Sequence, residues 1–369
     1  MRILQVNKLY PPVVGGIEQV VRQLAEGFSE RGHESRVLVA TDQGRGTTET
    51  SDGVQVRRVS SLGQVLSTPL SPTFPAHVAS AARKAEVVHY HLPNPLAVVS
   101  HCLLRPSTPT VLTYHSDIVR QSRVLKLYRP LLERTLADVD RIITTSPRLR
   151  DSSPFLQPHT DKTTIVPIGI DVADADSSGT DVDVPGRTDR PVVLTVGRVN
   201  YYKGVEYFVR AASEIDVEAT FIVVGEGPRR QSLERLANSL GVEDTVTFSG
   251  WVDDETLAAC YQEADLFVLP SVERSEAFGI VQLEAMARGV PVVNTALSTG
   301  VPWVSRDGET GLTVPPGDVE ALADVVTELL SNEKRRAQLS THARKRVIKQ
   351  FSESKMIEDT FDVYQTVTN

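Results

Sequence analysis

Strands alternating with helices, in two successive series, predict an α/β chain of two doubly wound domains facing each other. Apolar runs of strand length recur along most of the 369 residues, with helical patterns between them. Parallel sheets covered on both faces have this pattern. The alternation breaks at 171–190, where Asp171, Asp174, Asp176, Asp181, Asp183 and Asp189 stand among Ser, Thr and Gly. That composition reads as a solvated linker. Residues 1–168 therefore form one expected domain, 169–190 the linker and 191–350 the second domain.

In the first series the expected strands are Ile3–Val6, Val37–Ala40, Val54–Val59, Val87–His91, Thr110–Tyr114, Arg141–Thr145 and Thr164–Ile168. Helical patterns such as Glu18–Arg31 and Ser122–Leu136 fall between them. The second series runs Val192–Val196, Ala219–Val224, Thr245–Phe248, Asp265–Leu269, Pro291–Asn294 and Gly311–Val314. In such folds ligands bind beyond the carboxyl ends of the strands. Chemistry is therefore sought in the segments that follow strands.

Composition narrows the class. Hydrophobic content of 40% and charged content of 23% describe a globular chain able to bury two cores. No apolar run approaches the roughly 18 residues of a membrane-spanning helix. The opening MRILQVNKLYPP reads as a buried strand ending in a Pro-containing loop, too short in its apolar part for a signal peptide. Cys102 and Cys260 lack metal-ligand spacing and are expected to be buried free thiols of a reducing, cytoplasmic compartment. Residues 1–168 carry 20 Lys+Arg against 14 Asp+Glu, and 169–369 carry 19 against 33, summing to the net charge of −8. A chain so balanced is not expected to bind nucleic acid.

The most telling stretch follows the strand before Pro270. Ser275 to Gly289 reads SEAFGIVQLEAMARG. Glu276 falls in the loop ahead of a helix, and Glu284 one to two turns into it. A strand running through a glycine turn into a helix aims free backbone N–H groups at one spot. Two carboxylates flanking those donors suit a ligand with hydroxyls at both ends and phosphates between, such as a sugar nucleotide. The spacing alone also describes a surface helix with two solvated glutamates.

Three further loops follow strands. Gly197-Arg198-Val199-Asn200-Tyr201-Tyr202-Lys203-Gly204 sets a guanidinium and an ammonium five residues apart. Such a pair binds a diphosphate and offsets the charge growing on it as it leaves. The alternative is a loop of solvated cations. It is not a P-loop, because Tyr202 precedes the lysine and Gly204 follows it where Ser or Thr would hold magnesium. Pro11-Pro12-Val13-Val14-Gly15-Gly16-Ile17-Glu18 puts paired glycines ahead of a helix, either for close approach to a ligand or simply for a turn. Thr113-Tyr114-His115-Ser116-Asp117 ends a strand on a histidine, whose plain reading is a satisfied structural residue. His89 and His91 end the preceding strand and could act on an acceptor, and their spacing is weak evidence for metal. Val224-Gly225-Glu226-Gly227-Pro228 lacks the third glycine of a dinucleotide fingerprint, since Arg230 stands there.

The run EAFGIVQLE, followed by AMARGVPVV, resembles the E-x7-E signature of the retaining glycosyltransferases of group 1 (family 4). These have the GT-B fold, two Rossmann-like domains facing a central cleft. The loop from Gly197 to Gly204 is similar to the family's GR-x4-KG element, and that from Pro11 to Glu18 matches its PP-x2-GG-x-E loop. His115 is similar to the family's cleft histidine. The resemblance covers nearly the whole chain, with four motifs in the family's order.

The resemblance implies a set of roles. Arg198 and Lys203 grip the donor diphosphate, and Glu284 takes the ribose. Glu276 and the amides of Phe278, Gly279 and Ile280 hold sugar hydroxyls. Gly15 and Gly16 touch the donor phosphate or the acceptor, and His115 lies beside the transferred sugar. The catalytic pair is then His115 with Glu276. The first domain takes the acceptor, the second the nucleotide sugar, and a helix over 351–369 packs back on the first. The nucleotide sugar is a substrate, and no cofactor is expected. No metal is expected either: Asp138-Val139-Asp140 precedes a strand, while Asp174-Ala175-Asp176 and Asp181-Val182-Asp183 lie in the linker. YHSDIV and SERSEAFGIVQLEAM look like mannosyltransferases of polysaccharide and glycolipid assembly, which makes GDP-mannose the first donor and a UDP-hexose the second. An epimerase of sugar nucleotides, or a non-catalytic nucleotide-sugar-binding partner, are the other readings.

Arg120, Arg123, Lys126 and Arg129 recur every three positions beside Val124, Leu125, Leu127, Leu131 and Leu132. The pattern is that of a core helix or of a patch for an anionic membrane surface, where each cation contributes about 1 kcal/mol. In the second case the enzyme is peripheral at the inner face of the cell membrane, near a lipid-linked acceptor. Replacing all four by Ser is then expected to abolish sedimentation with anionic vesicles while leaving the fold intact, and binding that survives the change overturns the patch.

Overall fold

The structure, a computed structural model, describes residues 1–368 apart from Val14, Ser67, 119–121 and 174–181; the side chains of 122–125 and 127 also lie outside the description. The chain divides into two compact units, Met1–Gly169 with Glu353–Asn369, and Ile170–Ser352.

The first unit is built on β1 (Arg2–Val6), β2 (Glu34–Ala40), β3 (Thr47–Ser51), β4 (Val54–Val59), β7 (Val87–Leu92), β8 (Thr110–Tyr114), β9 (Arg141–Thr144) and β10 (Thr163–Ile165), with β5 (Gln64–Val65) and β6 (Thr68–Pro69) as a separate hairpin. Their order in the sheet is β10-β9-β8-β7-β1-β2-β4-β3. Every pairing is parallel except β3 with β4. The pleat sends alternate residues to opposite faces. Leu38 and Ala40 join the core with Leu4, Val88, Tyr90 and Leu112, while Val37 and Val39 face the helix Gly16–Glu30 through Val21 and Ala25. β3 was not expected, because its TTETS sequence is exposed throughout and has no apolar pattern. A polar edge strand of this kind resists pairing with other chains.

The last helix, Glu353–Thr368, belongs to this unit. Tyr364 lies against Phe28 with ring centroids 5.3 Å apart, and Phe361 stacks on His33 at 4.6 Å. Gln23 Nε2 donates to Glu353 Oε2 at 2.9 Å. Gly27 makes room for this packing: a Cβ there would lie 2.2 Å from Ile357 Cδ1.

The second unit is a wholly parallel six-stranded sheet of β11 (Val192–Val196), β12 (Thr220–Val224), β13 (Val246–Gly250), β14 (Leu266–Leu269), β15 (Val292–Thr295) and β16 (Gly311–Val314), ordered β13-β12-β11-β14-β15-β16. The central strands β11, β12 and β14 are near-continuous Val, Leu, Ile and Phe runs, as burial on both faces demands. Strand order reverses between β11 and β14. Their outgoing loops diverge there and leave a crevice at the carboxyl edge. In the first sheet the same reversal falls between β1 and β7.

Some sequence features fall elsewhere than expected. Cys260 is buried, but Cys102 is only half-buried, on the helix Pro95–Leu104. Of the basic stripe, Arg120 and the side chain of Arg123 lie outside the described residues. Lys126 and Arg129 are exposed, and Arg129 pairs with Glu133 at 2.7 Å. Among the described residues no helix is long and apolar enough to cross a membrane.

Gly27→Val overfills the seam between the first and last helices and is expected to cost about 1–3 kcal/mol. Denaturant unfolding measures it, and Ile357→Ala is expected to restore part of the loss by vacating the space that the added side chain enters.

Candidate functional site

The crevice of the second sheet is lined by the loops that leave β11 and β14. After β11 the chain turns through Gly197 and a short helical turn, Tyr201–Lys203, into the helix Val205–Ala212. Gly204 adopts φ +65° there, and a Cβ on it would stand 1.9 Å from the carbonyl oxygen of Pro270. Only glycine lets the two loops approach this closely. Val272 N donates to the Tyr202 carbonyl at 2.9 Å, tying the loops together.

Where they meet, Lys203 Nζ lies 2.7 Å from Glu276 Oε2, with side chains only 13% and 10% exposed. Ser271 Oγ donates to the same carboxylate oxygen at 3.1 Å, and Thr295 Oγ1 holds the Ser271 carbonyl at 2.6 Å. Burial disfavours the lysine charge, but the Glu276 carboxylate outweighs it and raises the Lys203 pKa above its ordinary value. Arg198 is exposed and has no hydrogen-bond or ion-pair partner among the described residues. Its charge still acts on the Tyr202 hydroxyl, alongside those of Lys203 and Glu276.

Gly279, at φ +72°, turns the second loop into the helix Ile280–Ala287. The amides of Phe278, Gly279 and Ile280 donate to no acceptor among the described residues. Gln282 Nε2 fixes this turn by donating to the Phe278 carbonyl at 2.7 Å, and its own Oε1 accepts from Asn294 Nδ2 at 3.2 Å. The Phe278 ring is buried against Trp303 and Phe351, so the residue offers its main chain only. Glu284 stands in the second turn, half-buried, with Oε2 accepting from Tyr261 Oη at 2.7 Å. Burial raises its pKa, while the Tyr261 hydroxyl, Arg288 and Lys203 pull against that rise. One edge of the sheet thus gathers Arg198, Lys203, Glu276, Glu284 and three free amides.

In the first unit Gly15 is extended and Gly16 opens the helix Gly16–Glu30. A Cβ on Gly15 would fall 2.2 Å from Glu18 Oε2, so the motif's own glutamate lies over its glycine. His115 follows β8 and is 4% exposed. Its Nε2 lies 3.1 Å from His91 Nδ1, and its Nδ1 is buried with no partner among the described residues. His91 Nε2 meets Gln5 Oε1 at 2.8 Å, and Gln5 Nε2 donates to Tyr364 Oη at 3.1 Å. His89 spans Tyr364 Oη at 2.7 Å and Thr113 Oγ1 at 2.6 Å. His89 and His91 are therefore interior residues with both ring nitrogens engaged, and the acceptor-side reading of them is corrected. Burial lowers the pKa of His89 and of His115 to about 3, and that of His91 well below its ordinary value.

Of the carboxylates considered for metal, Asp138 and Asp140 have other partners. Asp140 accepts from Thr110 N at 2.7 Å and Thr110 Oγ1 at 2.9 Å, and Asp138 pairs with Arg134 at 3.7 Å. Asp174, Asp176 and Asp181 lie outside the described residues. Sequence reasoning missed Ser271, Tyr261, Gln282, Gln5 and Tyr364. Only Gln5 carried a signal, a polar residue inside the apolar run RILQV.

Residues 180–346 match the family model for glycosyl transferases group 1, and residues 14–174 that for glycosyltransferase family 4. The O-antigen chain mannosyltransferase C of Escherichia coli is 34% identical over all of this chain and 99% of its own length. The D-rhamnosyltransferase WbpZ of Pseudomonas aeruginosa is 35% identical, covering 94% of this chain and 91% of the relative. A GDP-mannose-dependent alpha-(1-6)-phosphatidylinositol monomannoside mannosyltransferase of Mycolicibacterium smegmatis is 30% identical over 93% and 92% of the two chains. Among solved structures, a sucrose-phosphate synthase from Thermosynechococcus elongatus superposes with a TM-score of 0.81 at 25% identity, covering 99% and 98% of the two chains.

Two pH effects follow. The folded pKa of Glu284 is raised above the ordinary 4.5, so the folded state holds its proton longer than the unfolded chain. The group then favours folding below pH 4.5 and loses that contribution as pH rises through its folded pKa. Glu284→Gln is expected to raise the melting temperature at neutral pH, with the gain vanishing in acid. The histidines act oppositely: unfolding lets His89, His91 and His115 take up protons below their ordinary 6.5. Stability is expected to fall as pH drops from there, by up to about 1.4 kcal/mol per pH unit per histidine. Urea unfolding across pH checks this, and His89→Gln is expected to flatten the slope.

Proposed function

The chain belongs to the group 1 glycosyltransferases of family 4, and from that membership we propose that it transfers mannose from GDP-mannose to a glycan or lipid-linked acceptor, with retention of configuration. The observation that carries the reading is the buried Lys203–Glu276 pair beside the unpartnered Arg198. An ammonium held in a dry wall and a free guanidinium next to it form a seat for a diphosphate, and their strength grows where water is excluded.

In this reading Arg198 and Lys203 bind the diphosphate and stabilise it as it departs, so the leaving group needs no metal for its charge. Glu284 accepts from the ribose. Glu276 and the amides of Phe278, Gly279 and Ile280 hold hydroxyls of the hexose. Gly15 and Gly16 approach phosphate or acceptor by their main chain, and His115 contacts the transferred sugar through its unsatisfied Nδ1. The bond from the anomeric carbon to the diphosphate breaks, and the acceptor oxygen bonds that carbon on the same face. The acceptor's proton passes to the departing phosphate. Mannose as the sugar rests on the YHSDIV and SERSEAFGIVQLEAM stretches and on two relatives named mannosyltransferases. The relative named as a rhamnosyltransferase keeps a second hexose under test.

Incubation with nucleotide sugars and a mixed lipid acceptor is expected to release nucleoside diphosphate only when the acceptor is present. A changed sugar without release marks an epimerase, and neither product marks a binding protein. Thermal shift with GDP, UDP and ADP identifies the base, and a shift with UDP alone overturns GDP-mannose. Arg198→Ala and Glu276→Gln are each expected to lower kcat/KM about 100-fold or more.

A further inference from the structure

Six side chains of the first unit join in one chain of hydrogen bonds, Thr113, His89, Tyr364, Gln5, His91 and His115. A neutral imidazole donates from one nitrogen and accepts at the other, and a glutamine presents a donor end and an acceptor end. From Gln5 to His115 the chain therefore has a direction, and the orientation of the Gln5 amide sets the tautomers of His91 and His115. Gln5 places its NH2 on Tyr364 Oη and its carbonyl oxygen on His91 Nε2. His91 must then donate from Nε2 and accept at Nδ1, and His115 must donate from Nε2 to His91. The Tyr364 hydroxyl, accepting from Gln5, donates to His89 Nδ1, and His89 Nε2 donates to Thr113 Oγ1.

Running the chain the other way would leave a proton on His115 Nδ1, which is buried without a partner. A buried orphan N–H is rarer and more costly than a buried orphan lone pair. The stated direction is the cheaper of the two. Burial keeps all three histidines neutral near pH 7, so the alternation of donor and acceptor is not erased by an extra proton.

We infer that Tyr364 and Gln5 are positioning residues that lock His115 as the Nε2–H tautomer, so that its Nδ1 presents a lone pair to a hydroxyl of the transferred hexose. This deepens the proposed function and rests on its placing His115 at the reacting sugar. The terminal helix thereby decides whether the histidine accepts or donates. A sugar hydroxyl donates a hydrogen bond to this lone pair and keeps its proton, which makes its oxygen a better acceptor for other donors. The reversed tautomer would offer that hydroxyl an N–H instead and demand the opposite arrangement around the ring.

The test uses the full chain with 15N-labelled histidine and long-range 1H–15N spectra. His115 in the wild type is expected to show a protonated Nε2 and a bare Nδ1; a protonated Nδ1 overturns the inference. Tyr364→Phe keeps the buried ring but frees Gln5 to rotate. It is expected to populate the opposite His115 tautomer and lower kcat about tenfold, with donor KM within about twofold. A kcat loss with an unmoved tautomer, or a moved tautomer with unchanged kcat, each overturns it. Gln5→Leu gives the same readouts should Tyr364→Phe not fold. His115→Ala tests the underlying reading separately: transfer that survives it sinks the role of the histidine, whatever the spectra say.

Discussion

The second unit is organised around one buried ion pair. Lys203 and Glu276 come from different loops, separated by three strands of sequence and joined only because the sheet reverses order between β11 and β14. Desolvating either charge alone is expensive, and removing one partner from such a pair commonly costs about 3–5 kcal/mol. The surrounding structure shows what keeps both in place. Gly204 lets the loops touch, Ser271 supplies a second hydrogen bond to the carboxylate, and Thr295 holds Ser271. A pair so supported is a fixed dipole, ready to meet an anion without rearranging.

The first unit solves a different problem with the same physics. Its sheet centre contains Gln5, His89, His91 and Thr113, polar groups that an all-apolar core would avoid. Each finds a partner on a neighbouring strand or on the final helix, and within this linked set one nitrogen of His115 is left without one. Because the side chains linked to it are all engaged, that nitrogen stands out at the end of the set.

Much of this architecture could be read from periodicity. Thr110–Tyr114, Val192–Val196 and Gly311–Val314 have the bounds their apolar patterns indicate. Glu276 and Lys203 stand out because charged residues just after buried strands have few structural uses. What escaped is what pattern cannot encode. β3 has no apolar face, and Tyr261 reaches Glu284 from a helix whose sequence gives no hint of it. Gln5 and Tyr364 are 359 positions apart, and nothing local to either announces the other. The position of His89 and His91 at the end of a strand points in the sequence to a role on the acceptor side. Here a tyrosine from the far terminus covers them.

The chain leaves the first unit at Gly169 and re-enters it at Glu353. During synthesis the amino-terminal half therefore emerges long before the segment that caps Phe28 and engages Gln5. Domains ordinarily mature as they leave the ribosome, but this one stays unfinished until the helix Glu353–Thr368 has been made. The seam beside Phe28 stays uncovered while residues 170–352 are being added, so the earlier-made unit is completed after the one that follows it.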